Sequence, residues 1–314
     1  MSATALMPAS GSDDGTGLLK LMAQSAPDAQ VLVELSDLTN RLAPQEVAAI
    51  YARLRDRSPK EEQMRMSRMA PMWTVFQSRG AKTYAREVLG PGATLYRSAV
   101  QATQRGAVVC FTDVVGQMFT PNCRFLELLG DAAIDVVILQ SPVGTFWTWE
   151  FGGGRSLYAS FALLRARLAE RGIRPLAWVG ASSGGIPALG CAFLDAQSGG
   201  RPAQGLALAG RFFIPGSRVP IKDAGHAFDA ICGCLAGQVP QITNIYGADM
   251  RIDVEQNAFL AGRVPGLRSY TIPKDSKHNP MISLGARQKL RFLMAGIAEI
   301  AQGRTADFSE VTVP

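Results

Sequence analysis

The residues with the clearest chemical potential lie mid-chain, in Val179-Gly180-Ala181-Ser182-Ser183-Gly184-Gly185-Ile186-Pro187-Ala188. They contain G-x-S-x-G between a strand-like apolar run and a helix-like one. In that setting the pattern puts a serine hydroxyl on a sharp strand-to-helix turn. Such a turn is strained, so the residues two before and two after the serine must be very small. Gly180 and Gly184 meet that need. The turn lifts the Ser182 hydroxyl above the strand ends, and the N–H groups of the following helix point at whatever it attacks. Pro187 is tolerated because the first N–H groups of a helix have no intrahelical partner. The chemistry implied is nucleophilic attack on an acyl carbonyl. The competing reading is a Gly-rich turn that packs tightly or holds a phosphate. G-x-x-x-x-G-K-[ST] and G-x-G-x-x-G are both absent, which argues against a P-loop and a dinucleotide site.

A serine hydroxyl is a poor nucleophile without a base. The chain has two histidines, His226 and His278. His278 follows the last strand-like run and precedes the last helix, so its loop can reach over the sheet edge to Ser182. His226 lies in residues 198–240, a Gly- and Pro-interrupted segment with no clear element, and is the weaker candidate. The base in turn needs an orienting carboxylate, expected after the preceding strand. Tyr246-Gly247-Ala248-Asp249-Met250-Arg251-Ile252-Asp253 supplies two. Asp249, just past the strand end, is slightly favoured. Asp253, whose other role would be to cap a helix over 254–260, stays open.

The elements that must position these groups begin near residue 93. Ala107–Phe111, Ile134–Leu139, Leu176–Val179, Ile242–Tyr246 and Ser269–Ile272 are short apolar runs. Leu157, Phe161, Leu164 and Leu168 form a helix face between them, with Ser156 as cap and Gly172 as stop. Leu290, Leu293, Met294 and Ile297 form another near the end. Strand–helix alternation with near-continuous apolar strands predicts an α/β protein with a mostly parallel, doubly wound sheet. Residues 1–17, rich in Ser, Gly and Asp, read as a flexible tail. Residues 18–92 read as a helical extension, with Val31, Leu35, Leu38 and Leu42 on one face and a capping box at Ser58-Pro59-Lys60-Glu61. Residues 93–314 form the expected catalytic domain.

The order Ser182, then Asp249 or Asp253, then His278, each after its own strand, resembles the α/β-hydrolase superfamily. The resemblance covers roughly residues 93–303 and is most specific at Gly180–Gly185. It implies a serine hydrolase with a catalytic triad, whose oxyanion hole uses the N–H of the residue after the nucleophile, here Ser183. The second donor belongs to a loop often introduced by His-Gly. This chain has Thr112-Asp113 there, which makes Val114 the nearest match and leaves Asp113 needing to be paired or turned away. Carboxylic-ester hydrolysis through an acyl-enzyme is the implied activity, with thioesters and amides as related substrates. An acyltransferase would use the same residues. A non-catalytic binding protein on the same scaffold is the reading from another class.

Phe146-Trp147-Thr148-Trp149 runs into Gly152-Gly153-Gly154 on the same carboxyl edge as Ser182. Phe146, Trp147 and Trp149 could wall a site for an apolar acyl group, or plug the core under the N-terminal helices. Arg155 could bind a substrate anion or be solvated, and the solvated reading is favoured. The N-terminal helices must bury their apolar faces, either as a cap over the site or in a homo-oligomer.

Composition excludes several classes. The chain has 314 residues, 47% hydrophobic and 18% charged, too apolar for a disordered chain. Its net charge of +6 is spread along the chain with no long basic run, so no nucleic-acid partner is expected. The Cys count is odd, and Cys232 and Cys234 form CxC without a second pair. Reduced thiols fit better than disulfides or zinc, and no cofactor or metal is implied. No membrane span and no signal peptide is expected, and a cytoplasmic location follows. The expected partner is a small-molecule acyl substrate.

Overall fold

In a computed structural model, the described residues are 84–100, 105–114, 116–120, 122–129, 133–140, 157–198, 203–212 and 239–313. Most of the expected helical extension, the Phe146–Trp149 loop, His226, Cys232 and Cys234 lie outside them.

Among the described residues, eight strands form one sheet in the order β1-β2-β4-β3-β5-β6-β7-β8. They are β1 (Tyr84–Gly90), β2 (Ala93–Ser98), β3 (Gly106–Phe111), β4 (Ile134–Leu139), β5 (Ala177–Ala181), β6 (Gln204–Leu208), β7 (Ile242–Gly247) and β8 (Arg268–Ile272). From β4 through β3 to β8 every pairing is parallel. The first two strands form an antiparallel hairpin, and β2 runs antiparallel to β4. Tyr84–Gly90 falls inside the stretch expected to be helical, so the sheet begins before residue 93. The hairpin turns at Pro91-Gly92, with Gly92 at φ 66, the left-handed conformation that follows Pro in a type II turn.

Seven α-helices accompany the sheet among the described residues: α1 (Asn122–Leu128), α2 (Leu157–Ala169), α3 (Gly185–Gln197), α4 (Arg251–Ala261), α5 (Pro280–Ala286), α6 (Leu290–Ala301) and α7 (Ser309–Thr312). Every residue of β3, β4, β5 and β7 is buried. Strands covered on both faces need no polar face, which is why these segments read as continuous apolar runs. The period-2 alternation divides them. Val109, Phe111, Leu139 and Trp178 pack on one side with Phe161, Leu164 and Leu168 of α2 and Leu189 and Phe193 of α3. Val108, Cys110, Ile138 and Val179 pack on the other with Phe125 of α1, Leu293, Met294 and Ile297 of α6, and Phe308. The expected doubly wound α/β sheet is therefore present. No helix of the described residues is long and apolar enough to cross a membrane.

The chain enters the sheet centre at β3, steps out to β4, then crosses back to β5 on the other side of β3. The connections thus diverge between β3 and β5. In open α/β sheets the crevice outside the carboxyl ends at such a point is where ligands bind.

Candidate active site

Ser182 sits directly above that crevice. β5 ends at Ala181, and a short 3-10 turn, Ser182–Gly184, leads into α3. Ser182 has φ 51, left-handed backbone in a residue that rarely adopts it. The turn is that tight because its flanks lack side chains. A Cβ on Gly180 would overlap the Gly184 carbonyl, and one on Gly184 would overlap the Phe111 carbonyl at the end of β3. Both obstacles are backbone and cannot rotate away. Gly184→Ala is expected to destabilise the fold by about 3 kcal/mol. It should lower the thermal midpoint by roughly 6 °C or more, as read by calorimetry.

His278 is delivered by the loop after β8. Ser182 Oγ lies 2.7 Å from His278 Nε2, and His278 Nδ1 lies 2.7 Å from Asp253 Oδ1. The expected serine and histidine are therefore in contact. Of the two candidate carboxylates it is Asp253, not the favoured Asp249, that meets the imidazole. Asp249 is exposed, and its N–H donates to the Asp275 carbonyl at 3.0 Å. The chain continues from β7 through that turn into α4, whose first turn carries Asp253 inward. The Asp253 side chain is 0% exposed and that of His278 23%. The positive end of the α4 dipole favours a carboxylate at this place. An ionised Asp253 fixes the proton on Nδ1, which leaves Nε2 as the acceptor facing the serine hydroxyl.

Three residues that the sequence reading did not single out hold the histidine loop. Asp275 is buried, and its Oδ1 accepts from the Lys277 N–H at 3.0 Å and from Ser283 Oγ at 2.5 Å. Gly247, at the end of β7, lets this loop close in, since a Cβ there would come 2.6 Å from the Asp275 carbonyl. Asn279 caps α5 by accepting from the Met281 N–H, and its amide donates to the Phe119 carbonyl at 2.8 Å. The Phe119 ring meets the imidazole edge to face with centroids 5.5 Å apart. Asn279-Pro280 is a helix-start signature that could have been read in advance. Asp275 and Phe119 have no such local signal, because their partners are far away in sequence.

Asp113 is paired, as the oxyanion reading requires. Its Oδ1 accepts from the Gln117 N–H at 3.0 Å, and its own N–H donates to the Gln117 carbonyl at 2.8 Å. The carboxylate thus closes the turn after β3 that carries Val114. The same turn abuts the serine, because the carbonyls of Phe111 and Thr112 press on Gly184. Ser183 is fully buried at the start of the 3-10 turn, where N–H groups lack intrahelical acceptors. Cys110, Cys123 and Cys191 are buried free thiols. Burial pushes all three thiols up, Cys123 to about 12, which keeps them protonated and poor nucleophiles. A cavity of about 360 Å³ opens behind Phe119, between α1 and α5, and is walled mainly by apolar groups including Leu128, Met281 and Leu290.

No family model and no curated protein matches the chain. Solved structures do. The 2,6-dihydroxy-pseudo-oxynicotine hydrolase is similar over 97% of this chain and 92% of its own, at 10% identity and a TM-score of 0.51. The chain has the α/β-hydrolase fold. Two further structures with this fold are similar at lower scores. Dienelactone hydrolase from Anabaena variabilis matches 72% of this chain and 100% of its own, at 14% identity and a TM-score of 0.48. A hormone-sensitive lipase from a metagenome library matches 88% of this chain and 100% of its own, at 12% identity and a TM-score of 0.49. At 10% identity the likeness to the first of these shows the fold alone, and the chemistry has to be argued from the site.

Proposed function

We propose that the chain is a serine hydrolase that cleaves a carboxylic ester or thioester through an acyl-enzyme on Ser182. The observation that carries the reading is the unbroken chain of two 2.7 Å contacts from Ser182 through His278 to buried Asp253. His278 Nε2 takes the hydroxyl proton as Oγ attacks the carbonyl carbon, and then returns it to the leaving oxygen or sulfur. Asp253 holds the tautomer and stabilises the imidazolium. The N–H groups of Ser183 and Val114 receive the oxyanion. Water, deprotonated by the same imidazole, attacks the acyl carbon; the bond to Oγ breaks, the proton passes from His278 to Oγ, and the acid leaves. The position of Ser182 on a strained turn favours this role over tight packing, since strain of this kind has to be held in place by its surroundings.

The test is a stopped-flow burst. Wild-type protein mixed with 4-nitrophenyl acetate is expected to release one nitrophenolate per active site before steady turnover. Quenching at that time should give an acetyl group on Ser182 by mass spectrometry. Absence of both burst and adduct in folded protein contradicts the reading.

A further inference from the structure

Arg211 is the group at this site that the proposed chemistry does not use. It follows β6 by three residues, after Ala209 turns the chain with φ 44. Its N–H donates to the Ser182 carbonyl at 2.9 Å, which ties this turn to the serine. Its guanidinium lies at the base itself, with Nε donating to His278 Nε2 at 3.2 Å. That nitrogen is also the one 2.7 Å from Ser182 Oγ.

This arrangement is incomplete as a resting catalyst. A neutral imidazole protonated on Nδ1 has a single lone pair at Nε2, for which the serine O–H and the arginine N–H compete. When the serine proton reaches Nε2, the imidazolium faces a guanidinium that stays charged. Among the described residues no carboxylate lies within ion-pair distance of Arg211, whereas Arg165 and Arg171 have Asp195 and Glu87. An anion brought by the substrate would remove both conflicts. It would draw the guanidinium off Nε2, leave that lone pair to Ser182, and add negative charge beside the developing imidazolium.

We propose that Arg211 is the anion-binding residue of the site and that the substrate is an ester or thioester carrying a carboxylate near the scissile carbonyl. The inference rests on the acyl-enzyme reading above. No bond forms or breaks at Arg211. It binds and orients the substrate, and its planar fork suits a carboxylate.

The experiment compares kcat/KM for two matched pairs. 4-Nitrophenyl hydrogen glutarate is set against 4-nitrophenyl butyrate, with the anion on the acyl side. 4-Acetoxybenzoate is set against phenyl acetate, with the anion on the leaving side. Each value is divided by the ester's own alkaline hydrolysis rate. In the wild type at least one anionic ester is expected to be preferred about ten- to a hundredfold, the range of a charge-assisted hydrogen bond pair. Arg211→Gln should bring that preference close to unity, and Arg211→Lys should keep an intermediate part of it. Free glutarate should inhibit the wild type competitively, and glutaramide at the same concentration should not. This second comparison decides the matter should Arg211→Gln fail to fold. Equal use of both pairs by the wild type, a preference that survives in folded Arg211→Gln, or equal inhibition by the two glutaryl compounds overturns the assignment. A nitrophenolate burst from neutral 4-nitrophenyl acetate without any anion preference would remove this inference alone. Absence of both the burst and the Ser182 adduct in folded protein would remove the reading beneath it.

Discussion

Ser182→Ala is expected to reduce kcat for ester hydrolysis by about a million-fold, the scale seen when the nucleophile of a serine triad is removed. The substitution deletes one hydroxyl and adds nothing, so the fold should persist. Alanine keeps the same Cβ, so it should take the left-handed backbone seen at Ser182, φ 51, without a new contact. The hydroxyl is also a polar group in a buried position, 7% exposed, so the thermal midpoint should stay the same or rise. Ser182 and His278 touch through one hydrogen bond and act in one step. The double variant Ser182→Ala/His278→Ala should therefore lose no more than either single variant. The measurement is steady-state hydrolysis with protein free of host esterases. Additive losses would mean that the two groups act separately.

Asp253→Asn is expected to lower kcat by about four orders of magnitude, with KM little changed. The amide has nearly the shape of the carboxylate, so the loss would report charge and proton placement. An Asn amide facing Nδ1 favours the tautomer with the proton on Nε2, and that nitrogen could not then accept from Ser182. Asp249→Asn is the paired control. Asp249 is exposed and meets the histidine loop through its backbone N–H, which the substitution keeps. Its effect should stay within about twofold. Equal losses in the two variants, or a larger one at Asp249, would contradict the assignment of Asp253.

That pair also marks what could be read from sequence. G-x-S-x-G carried its own geometric demand for tiny flanks, and the carbonyl contacts around Gly180 and Gly184 give the reason. His278 followed from having only two histidines and from its place after a strand. The choice between the aspartates needed a rotation that spacing does not encode. A non-helical turn over 248–250 and the start of α4 separate the strand end from Asp253, and together they bring the later residue inward. Strands β3, β4, β5 and β7 were legible because burial on both faces makes them continuously apolar. β1 was missed because it carries Arg86 and Glu87 on an exposed edge, where charge blunts pairing and blurs the apolar pattern. β6, Gln-Gly-Leu-Ala-Leu, is five residues long with no β-branched or aromatic residue, too short and too plain to mark a strand. Missing β6 also hid Arg211, whose place at the site depends on where that strand ends. Asp275 and Asn279 act through contacts between distant segments, which periodicity does not report.

The most direct test of the central claim is labelling with a fluorophosphonate probe, with the adduct located by mass spectrometry in wild type and His278→Ala. An activated serine attacks phosphorus and displaces fluoride, and an ordinary serine does not. The account predicts one adduct, on Ser182, formed rapidly in the wild type and lost in His278→Ala. Folded wild-type protein that takes no label at Ser182, or that labels equally fast without His278, would contradict it.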